Sequence, residues 1–160
     1  MANVNIKKAD TAEEFEQGKT LFEEYAGSLD FDLGYQNFKK ELSTIAQQYK
    51  EPDGALLLCF IDNQNAVGCA GVRKFSEGIA ELKRLYVKPG YRSLKIGKQL
   101  LESAIDTAKE LNYKFIRLDT VPGQTKAQEL YYYLGFYEIV SYRYSPIAGT
   151  IYFEKRLGGE

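Results

Sequence analysis

Apolar residues recur along this chain with two periods, and the change from one period to the other predicts an ordered series of helices and strands. Steps of three and four predict three amphipathic helices. The first of them follows Thr11-x-x-Glu14, a pattern typical of a capping box. The apolar positions that define the helices are Phe15, Leu21, Phe22, Tyr25 and Ala26, then Tyr35, Phe38, Leu42, Ile45 and Tyr49, and then Ile96, Leu100, Leu101, Ala104, Ile105, Ala108 and Leu111.

Short runs of β-branched and aromatic residues between turn residues predict the strands. A four-residue polar stretch at 62–65 is typical of a hairpin turn. The resulting order β-αα-βββ-α-β-α-ββ predicts a mixed α/β fold with one strand–helix–strand crossover. The predicted strands cover residues 4–8, 55–61, 66–75, 80–87, 114–119, 136–142 and 150–155, with a shorter helix at 124–134.

Composition narrows the function classes. The chain has 160 residues, and we expect residues 1–160 to form a single domain. Its 21 basic and 22 acidic residues nearly balance, so no nucleic-acid partner is expected. Two cysteines in apolar runs, and the lack of a recognisable leader or spanning segment, favour a cytoplasmic protein without a membrane partner. Because there is no histidine, catalytic triads and most zinc sites are excluded, and no metal is expected.

Positive charge is concentrated where the strand at 80–87 turns into the third long helix. Arg92, Lys95 and Lys98 surround Gly97 there. Cations at a helix N-terminus oppose its dipole at a cost of about 0.3–1 kcal/mol each, unless an anion binds the unpaired N–H groups. The stretch therefore predicts a phosphate or pyrophosphate site. A Walker loop does not fit, because Arg92 stands where its first glycine would.

The same residues resemble the acetyl-CoA motif of the GNAT family of N-acetyltransferases, Gln/Arg-x-x-Gly-x-Gly/Ala. Arg92-x-x-Lys95-x-Gly97 matches at the arginine and the second glycine, and departs from the motif at Lys95. Downstream, Ala127-x-x-Leu130-Tyr131-x-x-Leu134-Gly135-Phe136 is similar to the family's Ala-x-x-Leu-Tyr-x-x-x-Gly-Phe. The resemblance implies an α/β fold with a GNAT-like mixed, mostly antiparallel central sheet and helices on both faces.

Acetyl-CoA is the co-substrate that the resemblance implies, bound by two neighbouring segments. Backbone groups of Leu85, Tyr86 and Val87 would face the pantetheine arm, and the Val87 N–H would polarise the thioester oxygen. If the family glycine at position 95 needs a positive φ, Lys95 is strained there; otherwise it adds a charged contact. The pyrophosphate would bind the segment made of Arg92, Ser93, Leu94, Lys95, Ile96, Gly97 and Lys98.

Tyr131 is the catalytic residue that the second motif matches, and the resemblance implies that its phenol protonates the departing thiolate. Without histidine, the base for the acceptor amine would be a carboxylate acting through water, or solvent itself. Glu81, on the strand before the CoA segment, is the first candidate, and Asp119, at the end of the next strand, is the second. A covalent acyl intermediate on Cys59 or Cys69 is disfavoured, because nothing nearby in the sequence would lower a thiol pKa.

Around the acceptor, the resemblance places cationic and tyrosine side chains that would suit a small amine also carrying a carboxylate or phosphate. We therefore expect direct acetyl transfer to a primary amine of a small metabolite. A homodimer is a possible assembly of the chain. Two alternatives stay open, namely a protein or peptide acceptor, and a sensor that binds acyl-CoA without transfer. The acceptor residues would be Arg73, Lys83, Arg84 and Arg143 with Tyr35, Tyr142 and Tyr144.

Overall fold

A computed structural model describes residues 3–29 and 32–158, with the side chains of Tyr35 and Gln36 outside that description. The described residues form one sheet, whose strands lie in the spatial order 1-2-3-4-5-7-6. Neighbouring strands are antiparallel, except that the fourth and fifth are parallel. In chain order the strands are β1 (Val4–Lys8), β2 (Ala55–Ile61), β3 (Ala66–Ser76), β4 (Ile79–Val87), β5 (Phe115–Thr120), β6 (Tyr137–Ile139) and β7 (Ile151–Arg156).

Helices cover both faces of this sheet. Leu57 of β2 packs into a core cluster with residues of the helices Ile96–Glu110 and Thr125–Tyr133, whereas its neighbour Leu56 packs with the helices that precede β2. This confirms the predicted fold class. The helices of the described residues are α1 (Ala12–Gly27), α2 (Phe38–Ser43), α3 (Ile45–Gln48), α4 (Ile96–Glu110) and α5 (Thr125–Tyr133), with 3₁₀ turns at Leu33–Gln36 and Pro89–Leu94.

Local signals in the sequence fix several element ends. The Glu14 N–H donates to Thr11 Oγ1 at 3.1 Å and the Thr11 N–H donates to Glu14 Oε1 at 3.2 Å, so the capping box forms as predicted. Asp62 and Asn63 adopt φ values of 52° and 59°, which close the predicted hairpin. Gly135 follows α5 with φ 94°, a left-handed conformation that ends the helix as predicted.

The prediction of one continuous helix over 35–49 is wrong. The structure breaks it into a 3₁₀ turn, α2 and α3. Asn37 adopts φ 58° at the first break. At the second break, the Thr44 hydroxyl donates back to the Lys40 carbonyl at 2.6 Å, competing with the regular helix bonds. The apolar period persists through both breaks, which is why it predicts one helix.

The predicted strand at 136–142 is shortened to β6. Val140 is exposed, and the chain leaves the sheet as a loop before it returns as β7 between β5 and β6. Within the loop, the side chains of Tyr142 and Arg143 reach inward to contact Glu81 of β4. Those contacts hold the loop over the divergence of β4 and β5.

Two irregularities of β4 open the sheet at its centre. The parallel pairing aligns Ile79–Glu81 with 115–117, and beyond Glu81 the described residues of β4 and β5 diverge. The register with β3 shifts by one residue after Lys83, which is a β-bulge, and Arg84 there adopts φ 59°. The backbone of 82–87 is therefore not paired to β5, and a cleft forms between the two strands.

Candidate active site

A cleft of about 620 Å³ lies where β4 and β5 diverge. Its walls combine the β4 segment, the first turn of α4 and the start of α5, three places that the sequence motifs single out. The structure brings together in this cleft the predicted site residues Leu85, Tyr86, Val87, Arg92, Gly97, Asp119 and Tyr131.

Other predicted residues lie outside the lining of this cleft. Ile96 is fully buried in the core under α4, and Leu94 is exposed. Lys98 lies over the ring of Tyr133, 5.4 Å from its centre. Ser93 and Lys95 are exposed on the segment that precedes α4. None of these five is in the lining of the cleft.

The open edge of β4 presents backbone groups to the cleft. The Lys88 N–H donates to the Val67 carbonyl of β3 at 2.9 Å. Because neighbouring strand residues direct their N–H groups to opposite sides, the Val87 N–H points away from β3, toward the cleft. The Val87 carbonyl, on the same side, accepts a hydrogen bond from Arg92 Nε at 2.9 Å. Arg92 thus braces the end of β4.

The N-terminus of α4 combines uncapped N–H groups with open space. Lys95 occupies the N-cap position at φ 58°, and no side chain caps the helix. A left-handed lysine is strained, so the first of the two expectations for Lys95 applies. A Cβ atom built on Gly97 would meet only Val87 Cγ2, at 4.0 Å, among the described atoms. The glycine therefore leaves room for a ligand rather than for a packed neighbour.

A buried ion pair holds the bulge of β4. Arg84 donates to both carboxylate oxygens of Glu41 in α2, at 2.7 and 3.1 Å, and Tyr49 donates to the same carboxylate at 2.7 Å. Cys69 donates from its thiol to the Arg84 carbonyl at 3.2 Å. Burial alone would raise the pKa of Glu41, but Arg84 and Tyr49 outweigh it and hold the pKa below its usual value. Arg84, which was predicted near the acceptor, lines the cleft, but its guanidinium is held by Glu41.

Tyr131 lies on α5 at the inner wall of the cleft. Its side chain is 5% exposed, and its ring packs against Phe136 and Phe153. Burial raises the pKa of the phenol, so it stays protonated at neutral pH. Within the described part of the chain its hydroxyl has no hydrogen-bond partner, which leaves the proton available to a group in the cleft.

The two predicted carboxylates differ in surroundings. Asp119 lines the cleft, with its Oδ2 3.7 Å from Arg143 Nη1. Glu81 is buried and contacts Arg143, Arg73 (3.3 Å) and Lys83 (4.0 Å). Burial would raise the pKa of Glu81, but the three cations outweigh it and lower that pKa.

Several residues predicted around the acceptor do converge. Tyr142 donates to Glu81 Oε2 at 3.2 Å, joining the arginines and the lysine on that carboxylate. Tyr144, in contrast, is 79% exposed. The Tyr35 side chain lies outside the described part of the structure.

Neither sequence motif covers the residues just before Ala127 or the end of α1. Gln124, Thr125 and Lys126 line the cleft, as do Tyr25 and Ser28. The second motif begins immediately after Lys126, so its position was a usable signal for the first group. For the α1 residues the sequence holds no signal, because only the packing of α1 beside β4 brings them there.

Other kinds of site find little support. Burial raises the pKa of the Cys59 thiol to about 11 and that of the Cys69 thiol still further, so both are poor nucleophiles. Among residues 3–29 and 32–158 no cluster of three or more acidic or cysteine side chains could hold a metal ion. Within the same ranges, no helix has the length and apolar character needed to cross a bilayer.

Comparisons with known proteins agree with this geometry. Residues 18–136 match the model of the acetyltransferase (GNAT) family. An uncharacterised N-acetyltransferase of Schizosaccharomyces pombe is 32% identical over 152 residues, which cover 94% of this chain and 93% of that protein.

Two solved structures share the fold. A GNAT-family acetyltransferase from Staphylococcus aureus superposes with a TM-score of 0.77 at 28% identity, covering 98% of this chain and 100% of the other. A PaiA N-acetyltransferase from Thermoplasma acidophilum, solved in complex with coenzyme A, has a TM-score of 0.69 at 20% identity, with coverages of 96% and 99%. With the family model covering most of the chain, these findings lead to one conclusion: the chain belongs to the GNAT family of N-acetyltransferases.

Proposed function

We propose that this protein transfers an acetyl group directly from acetyl-CoA to a primary amine of a small molecule. The observation that carries the proposal is the cleft between β4 and β5, which joins the open β4 edge, the uncapped α4 N-terminus and the Tyr131 hydroxyl. Direct transfer fits because both thiols are buried with raised pKa values, which leaves no good nucleophile for a covalent intermediate among the described cysteines.

The residues of the cleft fit acetyl-CoA, which would supply an activated thioester. The Val87 N–H would donate to the thioester oxygen and favour the charge that develops there. The N–H groups of Ile96, Gly97 and Lys98 would hold the pyrophosphate, since the N-terminus of a helix favours anions. The CoA complex of the Thermoplasma acidophilum neighbour supports this choice of ligand.

Tyr131 would donate its proton to the sulfur that leaves, since it is protonated, buried and without another partner in the described residues. Tyr131→Phe is therefore expected to lower kcat by about 100-fold, within the range of general acid catalysis, with little change in the KM for acetyl-CoA. Steady-state kinetics on wild type and variant provide the measurement. An unchanged kcat would exclude the acid role, and Tyr132→Phe, at an exposed position, is the matched control.

Asp119 would take the proton from the acceptor amine, directly or through water. Glu81 fits that role less well, because its three cationic neighbours lower its pKa and it binds a proton weakly. We expect Asp119→Asn to lower kcat at neutral pH, and the deficit to shrink as pH rises, since the amine then loses its proton to solvent. A pH–rate profile that is parallel to that of the wild type at all pH values would contradict this role.

The test of the proposed function is release of free thiol from acetyl-CoA in the presence of a panel of primary amines, with mass spectrometry of the product. A small amine that becomes N-acetylated is the expected result. If peptides are acetylated and small amines are not, the acceptor class proposed here is wrong. Tight acetyl-CoA binding with no transfer to any amine would instead favour a non-catalytic sensor.

A further inference from the structure

A second cavity of about 460 Å³ lies at the charged cluster around Glu81, outside the lining of the cleft. Glu81, Arg73 and Arg143 line it, and Gln48 of α3 closes one side. Arg143 links the two cavities, because it contacts Glu81 in this one and lies beside Asp119 of the cleft. A molecule in the second cavity would therefore lie next to the proposed site of amine deprotonation.

Several cationic side chains meet at this junction. Arg73, Lys83 and Arg143 face the carboxylates of Glu81 and Asp119. The lining of the second cavity itself holds Arg73, Lys74 and Arg143 together with the carboxylates of Glu81 and Asp53, and Lys74 pairs with Glu77. Burial lowers the pKa of Lys83 to about 8, although the nearby Glu81 carboxylate opposes that shift.

Both guanidinium groups keep donors that have no hydrogen-bond partner among the described residues. Arg73 donates from Nε to Glu81 and from Nη1 to Gln48 at 2.9 Å, and its Nη2 has no partner among the described side chains. Arg143 Nη2 contacts Glu81, while Nη1 lies 3.7 Å from Asp119, beyond hydrogen-bond length. Both side chains are about a fifth exposed, toward the cavity.

We propose that the acceptor amine also carries a carboxylate, and that Arg73 and Arg143 bind this carboxylate in the second cavity; the proposal rests on the acetyl transfer proposed above. Guanidinium groups match the planar geometry of a carboxylate and bind it with charge-assisted hydrogen bonds. Since Arg143 lies beside Asp119, only a short spacer fits between carboxylate and amine. Amino acids with an α- or β-amine meet this requirement. Glu81 would act as a positioning residue that fixes both arginines.

Matched pairs of substrates test this inference, each pair being an amino acid and its carboxamide. The carboxamide has the less basic amine, so chemistry alone favours the carboxamide, and a preference for the acid must come from binding. We expect wild type to prefer the acid, and Arg73→Gln to lower kcat/KM for the acid by about 10- to 100-fold, mostly through KM. For the carboxamide we expect a change below about threefold. Lys114→Gln, which removes an exposed cation that lines neither cavity, is the control and should change neither value.

Each outcome separates this inference from the proposed function. Equal use of acid and carboxamide by wild type would overturn the inference and leave acetyl transfer standing. An Arg73→Gln variant that loses the same factor on both substrates would also overturn it, because the arginine would then act only on the structure. If neither series is acetylated while another amine of the panel is, this inference fails and acetyl transfer stands; if no amine at all is acetylated, the proposed function itself fails. Arg143→Gln provides an independent second variant for the same comparison.

Discussion

Replacing Gly97 with glutamate is expected to abolish acetyl-CoA binding while the protein stays folded. The new side chain would enter the cleft, since a Cβ at this position meets only Val87 Cγ2, at 4.0 Å, among the described atoms. Its carboxylate would then lie where the pyrophosphate is proposed to bind. Like charges forced together cost several kcal/mol, so affinity should fall by more than about 100-fold. Isothermal calorimetry with acetyl-CoA measures this directly, and circular dichroism checks the fold.

Two controls separate charge in the cleft from other effects. Gln99→Glu adds the same carboxylate to the first turns of α4 but outside the cleft lining, and it should bind acetyl-CoA nearly as wild type does. Gly97→Ala should raise helix stability by up to about 1 kcal/mol and weaken binding only moderately. Tight binding by Gly97→Glu would show that the pyrophosphate does not approach α4 at this residue.

Glu41→Gln is expected to produce the largest loss of stability. The substitution leaves the Arg84 guanidinium buried without its counter-charge, and breaking one side of a buried ion pair costs about 3–5 kcal/mol. The same change frees the bulge of β4, which Arg84 anchors to α2. We therefore expect lower urea midpoints and weaker acetyl-CoA binding in the same variant. Unfolding curves followed by circular dichroism give the first value, and calorimetry gives the second.

Acid titration adds a second readout for Glu41. Its pKa is lower in the folded protein than in the unfolded chain, so its contribution to stability is complete above about pH 4.3 and is lost as pH falls through the folded value. The stability gap between wild type and Glu41→Gln should therefore narrow in acid. The control is Glu51→Gln, which breaks an exposed pair with Lys8 and should cost less than about 1 kcal/mol. Equal costs for the two variants would contradict the role given to Glu41.

The fold could be predicted from the sequence wherever the signal is local. A capping box, a polar hairpin turn and a glycine after α5 mark element ends through contacts within a few residues. The two breaks in the helix predicted over 35–49 could not be predicted, because an apolar period indicates which residues are buried and not whether the helix is continuous. Thr44 and Asn37 break the helix by local backbone and side-chain geometry that a period of 3.6 does not contain.

In the candidate site too, local sequence signals predict some residues and not others. The motif around Gly97 lies on one strand–turn–helix unit, so its residues could be placed together from sequence alone. The cluster on Glu81 could be predicted only through the family resemblance and not from local pattern, because Arg73 comes from β3 and Arg143 from the loop after β6. Arg84 lines the cleft, but its pairing with Glu41 could not be predicted for a related reason, since Glu41 lies 43 residues away. Contacts over such separations depend on the folded sheet.

A crystal structure of the protein with acetyl-CoA tests the central claim most directly. We expect the pyrophosphate within about 3.2 Å of the backbone N–H groups at the start of α4, and the thioester oxygen at a similar distance from the Val87 N–H. The sulfur should then lie within reach of the Tyr131 hydroxyl. A cofactor bound elsewhere, or bound in the cleft with its thioester turned away from Val87 and Tyr131, would contradict it.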